Sequence, residues 1–358
     1  MHAHFGLTLV VNHACNLRCT YCYTGDKFGR PMSLEIGRKA IGRAVSSLSP
    51  SGTLDLAFFG GEPLIEAELI LGLVDDARDQ TARRGNHLAL NMTTNGTIES
   101  SAAWEVMTLP EMQLSISHDG LPAIHNRHRI AVDGQSSSRR VEHTIGRLIE
   151  AEKQFRVVTV VHPNGVESLS AGMQYLYSLG VRQFDLSLDL WTNWTRADGA
   201  RLSDAIGRAA DFWGMRLPEC SVNWFDEKAA RASGISVPEI ARCGFAHVEI
   251  AVTPAGNLFP CERLVGADDP DNAMRLPGNV FDGDDFLNGS PVARTSPAEC
   301  VPCVLRPICN TTICRCSNYV RTGDVNRPDG LLCLLDQACY RETVRVLQSR
   351  ALTCARGA

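Results

Sequence analysis

The segment Cys15-Asn16-Leu17-Arg18-Cys19-Thr20-Tyr21-Cys22 places three thiols within eight residues, and the next cysteine is Cys220, 198 residues on. The 358-residue chain has 14 cysteines: these three, none from 23 to 219, and eleven from 220 onward. A disulfide framework would not leave nearly 200 residues bare. The start Met1-His2-Ala3-His4-Phe5 has no basic segment followed by an apolar one, so no export signal is read there. Metal ligation in a reducing, cytoplasmic compartment is therefore expected. Three sulfurs on one loop can hold three irons of a four-iron cubane and leave the fourth open, whereas an electron-transfer cluster takes four cysteines. The alternative is a zinc site with His13 as fourth ligand.

Apolar residues make up 44% and charged residues 21%, which excludes wholesale disorder. The length suggests two domains. A net charge of −5 without a basic face argues against a nucleic-acid partner. No apolar run is long enough to span a membrane.

Up to about residue 215, strand-like and helix-like segments alternate. Strands are expected at Phe5–Val11, Leu54–Phe59, His87–Asn91, Gln113–Ser117, Arg156–Val161 and Arg182–Leu188. Helices are expected at Ser33–Leu48, Ile65–Arg84, Arg140–Lys153 and Leu169–Leu179, with Ser33 as an N-cap. Six such repeats imply a parallel sheet, with functional residues at the C-terminal ends of the strands. From 243 to 339 the chain is rich in Pro, Gly, Asp and Cys, and only His247–Thr253 reads as a strand. Metal cross-links would have to supplement so poor a core. The expected division is 1–215, a bridging segment 216–242, a cysteine-rich domain 243–345 and a tail 346–358.

The cysteine loop, with Tyr21 in its aromatic place, resembles that of the radical S-adenosylmethionine (SAM) superfamily. Gly60-Gly61-Glu62-Pro63 after the second strand looks like a further family motif. So do Thr94-Asn95-Gly96 after the third strand and Ser115-Ile116-Ser117-His118-Asp119-Gly120 after the fourth. His125-Asn126-Arg127-His128-Arg129 resembles the family's HDxxR, with Asn126 in place of the acid. The resemblance implies a partial (β/α)6 barrel whose Cys15, Cys19 and Cys22 hold a 4Fe–4S cluster with SAM on the open iron. Reductive cleavage then gives a 5′-deoxyadenosyl radical that abstracts a hydrogen atom from substrate. It also implies that Glu62 accepts from the SAM ammonium, that Ser115 or Ser117 reaches the ribose or carboxylate, and that Arg129 pairs with the SAM carboxylate.

Cys243, twelve residues, Gly256, four residues and Cys261 resemble the opening of a SPASM domain, which carries auxiliary clusters. Cys300-x2-Cys303-x5-Cys309, then Cys314, Cys316 and Cys333, continue the likeness, one residue out of pattern at Cys314. The resemblance implies three 4Fe–4S clusters in all. The distal auxiliary cluster takes Cys300, Cys303, Cys309 and Cys333. The proximal one takes Cys243, Cys261 and either Cys314 or Cys316. Its fourth ligand is Cys220 or the site is open, because Val237 stands where the family often has a cysteine. Structural zinc is the alternative for this region.

Enzymes of this kind mostly act on peptides, so a ribosomally made precursor peptide is the expected substrate and a cross-link the expected product. Formylglycine formation as in sulfatase maturases, epimerisation and small-molecule substrates such as aminoglycosides are the alternatives, and an electron carrier is the non-enzyme alternative. The first strand begins by residue 5, which leaves no N-terminal winged-helix domain. A leader peptide would then bind the barrel or a separate leader-binding protein, or be unnecessary. A flavodoxin- or ferredoxin-type donor is the expected source of electrons. Asp189, Trp191 and Trp194 follow the sixth strand and are candidates for touching substrate. His118, Asp119 and His162 also lie near strand ends.

Overall fold

The computed structural model describes residues 1–233, 244–288, 295 and 297–356. Its strands are β1 (His2–Asn12), β2 (Leu17–Cys19), β3 (Leu48–Gly60), β4 (His87–Thr94), β5 (Met112–Ser117), β6 (Arg129–Ala131), β7 (Phe155–Val161), β8 (Gln183–Leu188), β9 (Ser221–Val222), β10 (Glu249–Val252) and β11 (Leu258–Phe259). The helices are α1 (Leu34–Ser47), α2 (Ala67–Arg84), α3 (Ser101–Thr108), α4 (Pro122–His128), α5 (Ser137–Glu150), α6 (Leu169–Ser178), α7 (Arg196–Met215), α8 (Asn223–Ala232), α9 (Asn310–Ile313), α10 (Arg315–Thr322) and α11 (Gly330–Arg356). Five of the six expected strands fall within observed ones, and the sixth, Arg182–Leu188, matches β8 except that β8 begins one residue later, at Gln183. This is the expected mixed α/β fold with parallel strands.

The chain forms two compact units, each discontinuous in sequence. The first comprises Met1–Ile116, Arg129–Phe155 and Gly244–Ala293. Here β1 lies between β3 and β10, and β4 and β5 extend the sheet beyond β3, all in parallel. Leu9, Val10 and Val11 are buried in succession, as expected of a central parallel strand covered on both faces. Leu54, Leu56 and Phe58 alternate inward along β3. Ser33 caps α1 by accepting from the Ile36 amide at 3.2 Å. Buried Arg43 of α1 donates to the carbonyls of Asn279, Val280 and Asp285 and stacks over Phe286, which ties that loop to the helix.

The second unit comprises Ser117–His128, Arg156–Cys243 and Arg294–Ala358. It holds the parallel strands β7, β8 and β9. Helix α11 packs on α7 and α8. The helix that carries Cys333 runs without a break to Arg356, through the segment expected to be a tail. No helix among the described residues is long and apolar enough to cross a membrane.

Candidate functional site

The loop after β1 is shaped by the glycines at the end of β3. Gly61 donates to the Asn12 carbonyl and Glu62 to that of Ala14, both at 2.9 Å. A Cβ on Gly60 would lie 2.3 Å from the Asn12 oxygen, and one on Gly61 2.2 Å from the Ala14 oxygen. Only glycine allows this approach, so the Gly60-Gly61 pair clamps the base of the cysteine loop. Farther along, β2 pairs antiparallel with β6, setting Cys19 opposite Arg129. The buried Arg129 guanidinium lies 5.4 Å from the Tyr21 ring centroid.

Glu62 is 1% exposed and joins its own motif to the Thr94-Asn95-Gly96 turn. Its Oε1 accepts from Thr94 Oγ1 at 2.6 Å and from the Leu64 amide at 3.0 Å, and its Oε2 accepts from the Asn95 amide at 2.7 Å. Burial raises its carboxyl above the usual range, against the pull of these three donors. Asn95 Nδ2 in turn donates to Asn16 Oδ1 at 2.9 Å and reaches Cys15 Sγ at 3.8 Å. Asn16 Nδ2 donates to Thr97 Oγ1 at 2.7 Å. Sequence reading passed over Asn16 and Thr97. The available signal was an amide side chain set between two of the thiols.

Cys15 and Cys22 differ. Burial raises Cys15 above the ordinary thiol range, and the Leu17 amide donates to its sulfur at 3.4 Å. At Cys22 burial also raises the thiol, but the Thr24 hydrogen bonds and the Lys27 charge outweigh it and leave the thiol below its ordinary value. Donors aimed at a sulfur suit a thiolate ligand, because hydrogen bonds to cluster sulfurs stabilise the anionic form. The donor set fits a cluster held by three cysteines.

In the second unit Cys300, Cys303 and Cys333 are near enough for their charges to interact, and burial raises the Cys333 and Cys300 thiols. Burial pushes Cys309 up to about 12, and its sulfur contacts Asp336 Oδ2 at 3.3 Å. Cys314 and Cys316 bring their sulfurs within 3.2 Å. Cys220 lies elsewhere in that unit, beside β9 at the N-terminal end of β8. Burial pushes its thiol up to about 12, and the charged groups around it are Asp226, Arg216 and Arg182 rather than another cysteine. Cys243 and Val237 lie outside the described residues. Cys261 is in the first unit.

Asp189, 4% exposed, accepts from the Trp191 amide at 3.0 Å, and its carbonyl accepts from Trp194 Nε1 at 2.8 Å. His162 Nε2 stands 3.8 Å from its carboxylate, and the His162 ring lies 4.7 Å from that of His128. Ser115 is in register with Thr93 of β4, and Ser117 ends the same strand in the second unit.

A family model described as a 4Fe-4S single cluster domain matches residues 6–141. The chain superposes with a TM-score of 0.77 on native anSMEcpe with bound AdoMet and Kp18Cys peptide, at 18% identity, covering 99% of this chain and 100% of that one. The likeness shows that the chain shares the fold of that AdoMet-binding protein. The chain is 22% identical to the PqqA peptide cyclase of Granulibacter bethesdensis, over 98% of its own length and 91% of the relative's. It is 23% identical to the serine-type anaerobic sulfatase-maturating enzyme of Klebsiella aerogenes, over 72% of its length. It spans 66% of that enzyme and 62% of an uncharacterized protein of Methanocaldococcus jannaschii that it also matches.

Proposed function

We propose that this chain is an enzyme that cleaves SAM and abstracts a hydrogen atom from a ribosomally made peptide, with a cross-link as product. The observation that carries the chemistry is the buried network joining the three-thiol loop to Glu62, Thr94 and Asn95. The full-length alignment with a peptide cyclase supports the substrate class.

Cys15, Cys19 and Cys22 hold the SAM-binding cluster. When bound, cluster and SAM together supply one-electron cleavage of the sulfonium and a hydrogen-atom abstractor. Everything else falls to the chain. Glu62 offers about four acceptor positions, three of them filled, and the remaining one takes the SAM ammonium. Gly60, Gly61 and Pro63 shape the wall beside it, and Thr94 and Asn95 hold the carboxylate in place. Arg129, braced over Tyr21, binds the SAM carboxylate, and Ser115 lies within the same set. The burial of Glu62 and Arg129 keeps water from these groups.

Residues 1–215 form the catalytic barrel and 243–345 the auxiliary SPASM domain, with 216–242 bridging them. Cys300, Cys303, Cys309 and Cys333 hold one auxiliary 4Fe–4S cluster; Cys243, Cys261 and one of Cys314 or Cys316 hold another, whose fourth position is Cys220 or open. The enzyme works in the cytoplasm with a flavodoxin- or ferredoxin-type donor, and a leader peptide binds the barrel or a separate leader-binding protein, or is unnecessary.

The test is anaerobic reconstitution and reduction, with 5′-deoxyadenosine as readout. Changing Cys15, Cys19 and Cys22 together to Ala should abolish it and leave the auxiliary iron. Persistent 5′-deoxyadenosine in that variant would overturn the assignment. With SAM and a peptide encoded beside the gene, a loss of two hydrogens is expected. Turnover driven by a free sugar or amino acid instead would defeat the peptide substrate and leave the radical chemistry standing.

A further inference from the structure

The sulfurs of Cys314 and Cys316 lie 3.2 Å apart, and both residues belong to the second unit. We propose that these two thiols form a reversible disulfide, with a small-molecule disulfide such as oxidised glutathione as the oxidant. The cluster ligands proposed above include only one of the pair, so the second sulfur has no role in that reading. The link stands without the iron–sulfur reading; its consequence, the withdrawal of a cluster ligand, rests on it.

The local backbone explains the contact. Side chains two residues apart within a helix do not face each other. Cys314 escapes that rule because it stands just before α10 as its cap residue, with φ −103° and ψ 103°. The extended backbone there swings its side chain toward Cys316, the second residue of the helix. Asn318, 1% exposed, pins this helix start: its Nδ2 donates to the Thr311 carbonyl at 2.7 Å and to that of Val325 at 3.1 Å. Bonded sulfurs lie about 2.05 Å apart, so closing the link takes a movement of about 1 Å, within reach of side-chain rotation. Two ligands at corners of one cubane, by contrast, each point in toward their own iron from diverging directions, and sulfurs this close do not suit two such corners.

Exposure sets the order of reaction. Cys314 is half-buried and Cys316 is 3% exposed. The Cys314 sulfur, as the reachable one, attacks the small disulfide and releases one small thiol. The Cys316 sulfur then attacks Cys314 Sγ in the mixed disulfide, which forms the protein bond and releases the second small thiol. Two electrons and two protons pass in all from the pair to the oxidant, whose S–S bond is reduced to two thiols. Ser317 Oγ lies 3.1 Å from Cys314 Sγ, where its hydroxyl can donate to the anionic sulfur. In a reducing compartment such a bond is transient and redox-sensing rather than structural.

The test uses the full chain, iron-loaded and after chelation of its iron, equilibrated anaerobically in buffers of reduced and oxidised glutathione. Samples are alkylated, digested and analysed by mass spectrometry, with fragmentation to identify the linked cysteines. In the chelated chain a Cys314–Cys316 link is expected, two hydrogens lighter than the dithiol, and dithiothreitol should reverse it. Cys314→Ser should abolish the link and leave Cys316 alkylated. Separate alkylation of Cys314 and Cys316 across the whole range of buffers would overturn the proposal. So would glutathione held on Cys314 as a stable mixed disulfide, or a link from either residue to a different cysteine. These readouts come from the unsubstituted chain, so they decide the question even if Cys314→Ser fails to fold. Iron loading should protect the pair, because one thiol is then a ligand. A link that forms equally in the loaded chain would uphold the disulfide and remove both cysteines from the ligand set.

Discussion

Glu62 shows what a single residue does here. Its carboxylate takes three donors, one from each of Leu64, Thr94 and Asn95, in a site closed to solvent. Glu62→Gln keeps the shape but turns one acceptor into an amide that faces a donor. The unsatisfied group should cost about 1–3 kcal/mol, measured as a lower denaturation midpoint. Affinity for SAM should fall with it, measured by equilibrium dialysis of the reconstituted protein. The pH dependence follows from the direction of the shift. Burial raises the folded-state value, so the contribution is present below the unfolded value of about 4.3 and is lost as pH rises through the folded value. The stability gap between wild type and Glu62→Gln should therefore be widest in acid and narrow as pH rises. A gap that widens with pH would show that the hydrogen bonds outweigh desolvation.

Among the elements, α7 has the most explicit start. Thr195 Oγ1 accepts from the Asp198 amide at 3.2 Å, and Asp198 Oδ2 accepts from the Thr195 amide at 2.8 Å, closing a capping box. Thr195→Ala should cost about 1 kcal/mol, read from urea unfolding. The Thr195 hydroxyl, its amide and Arg201 hold the Asp198 carboxyl at about 2. A depressed value means that its contribution is present above the unfolded value of about 3.9 and is lost as pH falls through about 2. Asp198→Asn should flatten that acid limb, and an unchanged acid limb would remove Asp198 from the account. The signal Thr195-Arg196-Ala197-Asp198 stood in the sequence, yet this helix was not among those expected. Leu202, Ala205, Ile206 and Ala209 supply its buried stripe, with small alanines that weaken the apolar period. By contrast α1 was legible, because Ser33 stands directly before a clean apolar repeat.

At the scale of the whole molecule, what was legible is what is local in sequence. Thiols within eight residues, glycines at a strand end and strands followed by helices are all covalently close. Two of the three partners of Glu62, Thr94 and Asn95, lie 32 and 33 residues away, and no spacing in the chain announces them. Nor does spacing announce that residues 244–293 join the first unit, or that α11 packs on α7 and α8. One long-range pair in the second unit carries the clearest energetic consequence. Lys228 of α8 and Asp336 of α11 meet at 2.6 Å, each almost wholly buried. The Lys228 ammonium also donates to the Ile308 carbonyl at 2.8 Å, and Asp336 Oδ2 accepts from the Cys309 thiol at 3.3 Å. The pair thus ties the helical framework to a cysteine of the proposed auxiliary domain. Lys228→Met leaves a buried carboxylate without its cation, which should cost about 3–5 kcal/mol. Replacing both partners, Lys228→Met with Asp336→Leu, removes the charge as well and should recover most of that loss. Guanidinium unfolding of the anaerobically reconstituted protein, with iron content measured alongside, tests both variants. Loss in the single variant should be accompanied by weaker iron retention, because Cys309 shares the carboxylate. A double variant no more stable than the single one would mean that the packing of the two stems, not the charge pair, holds α8 to α11.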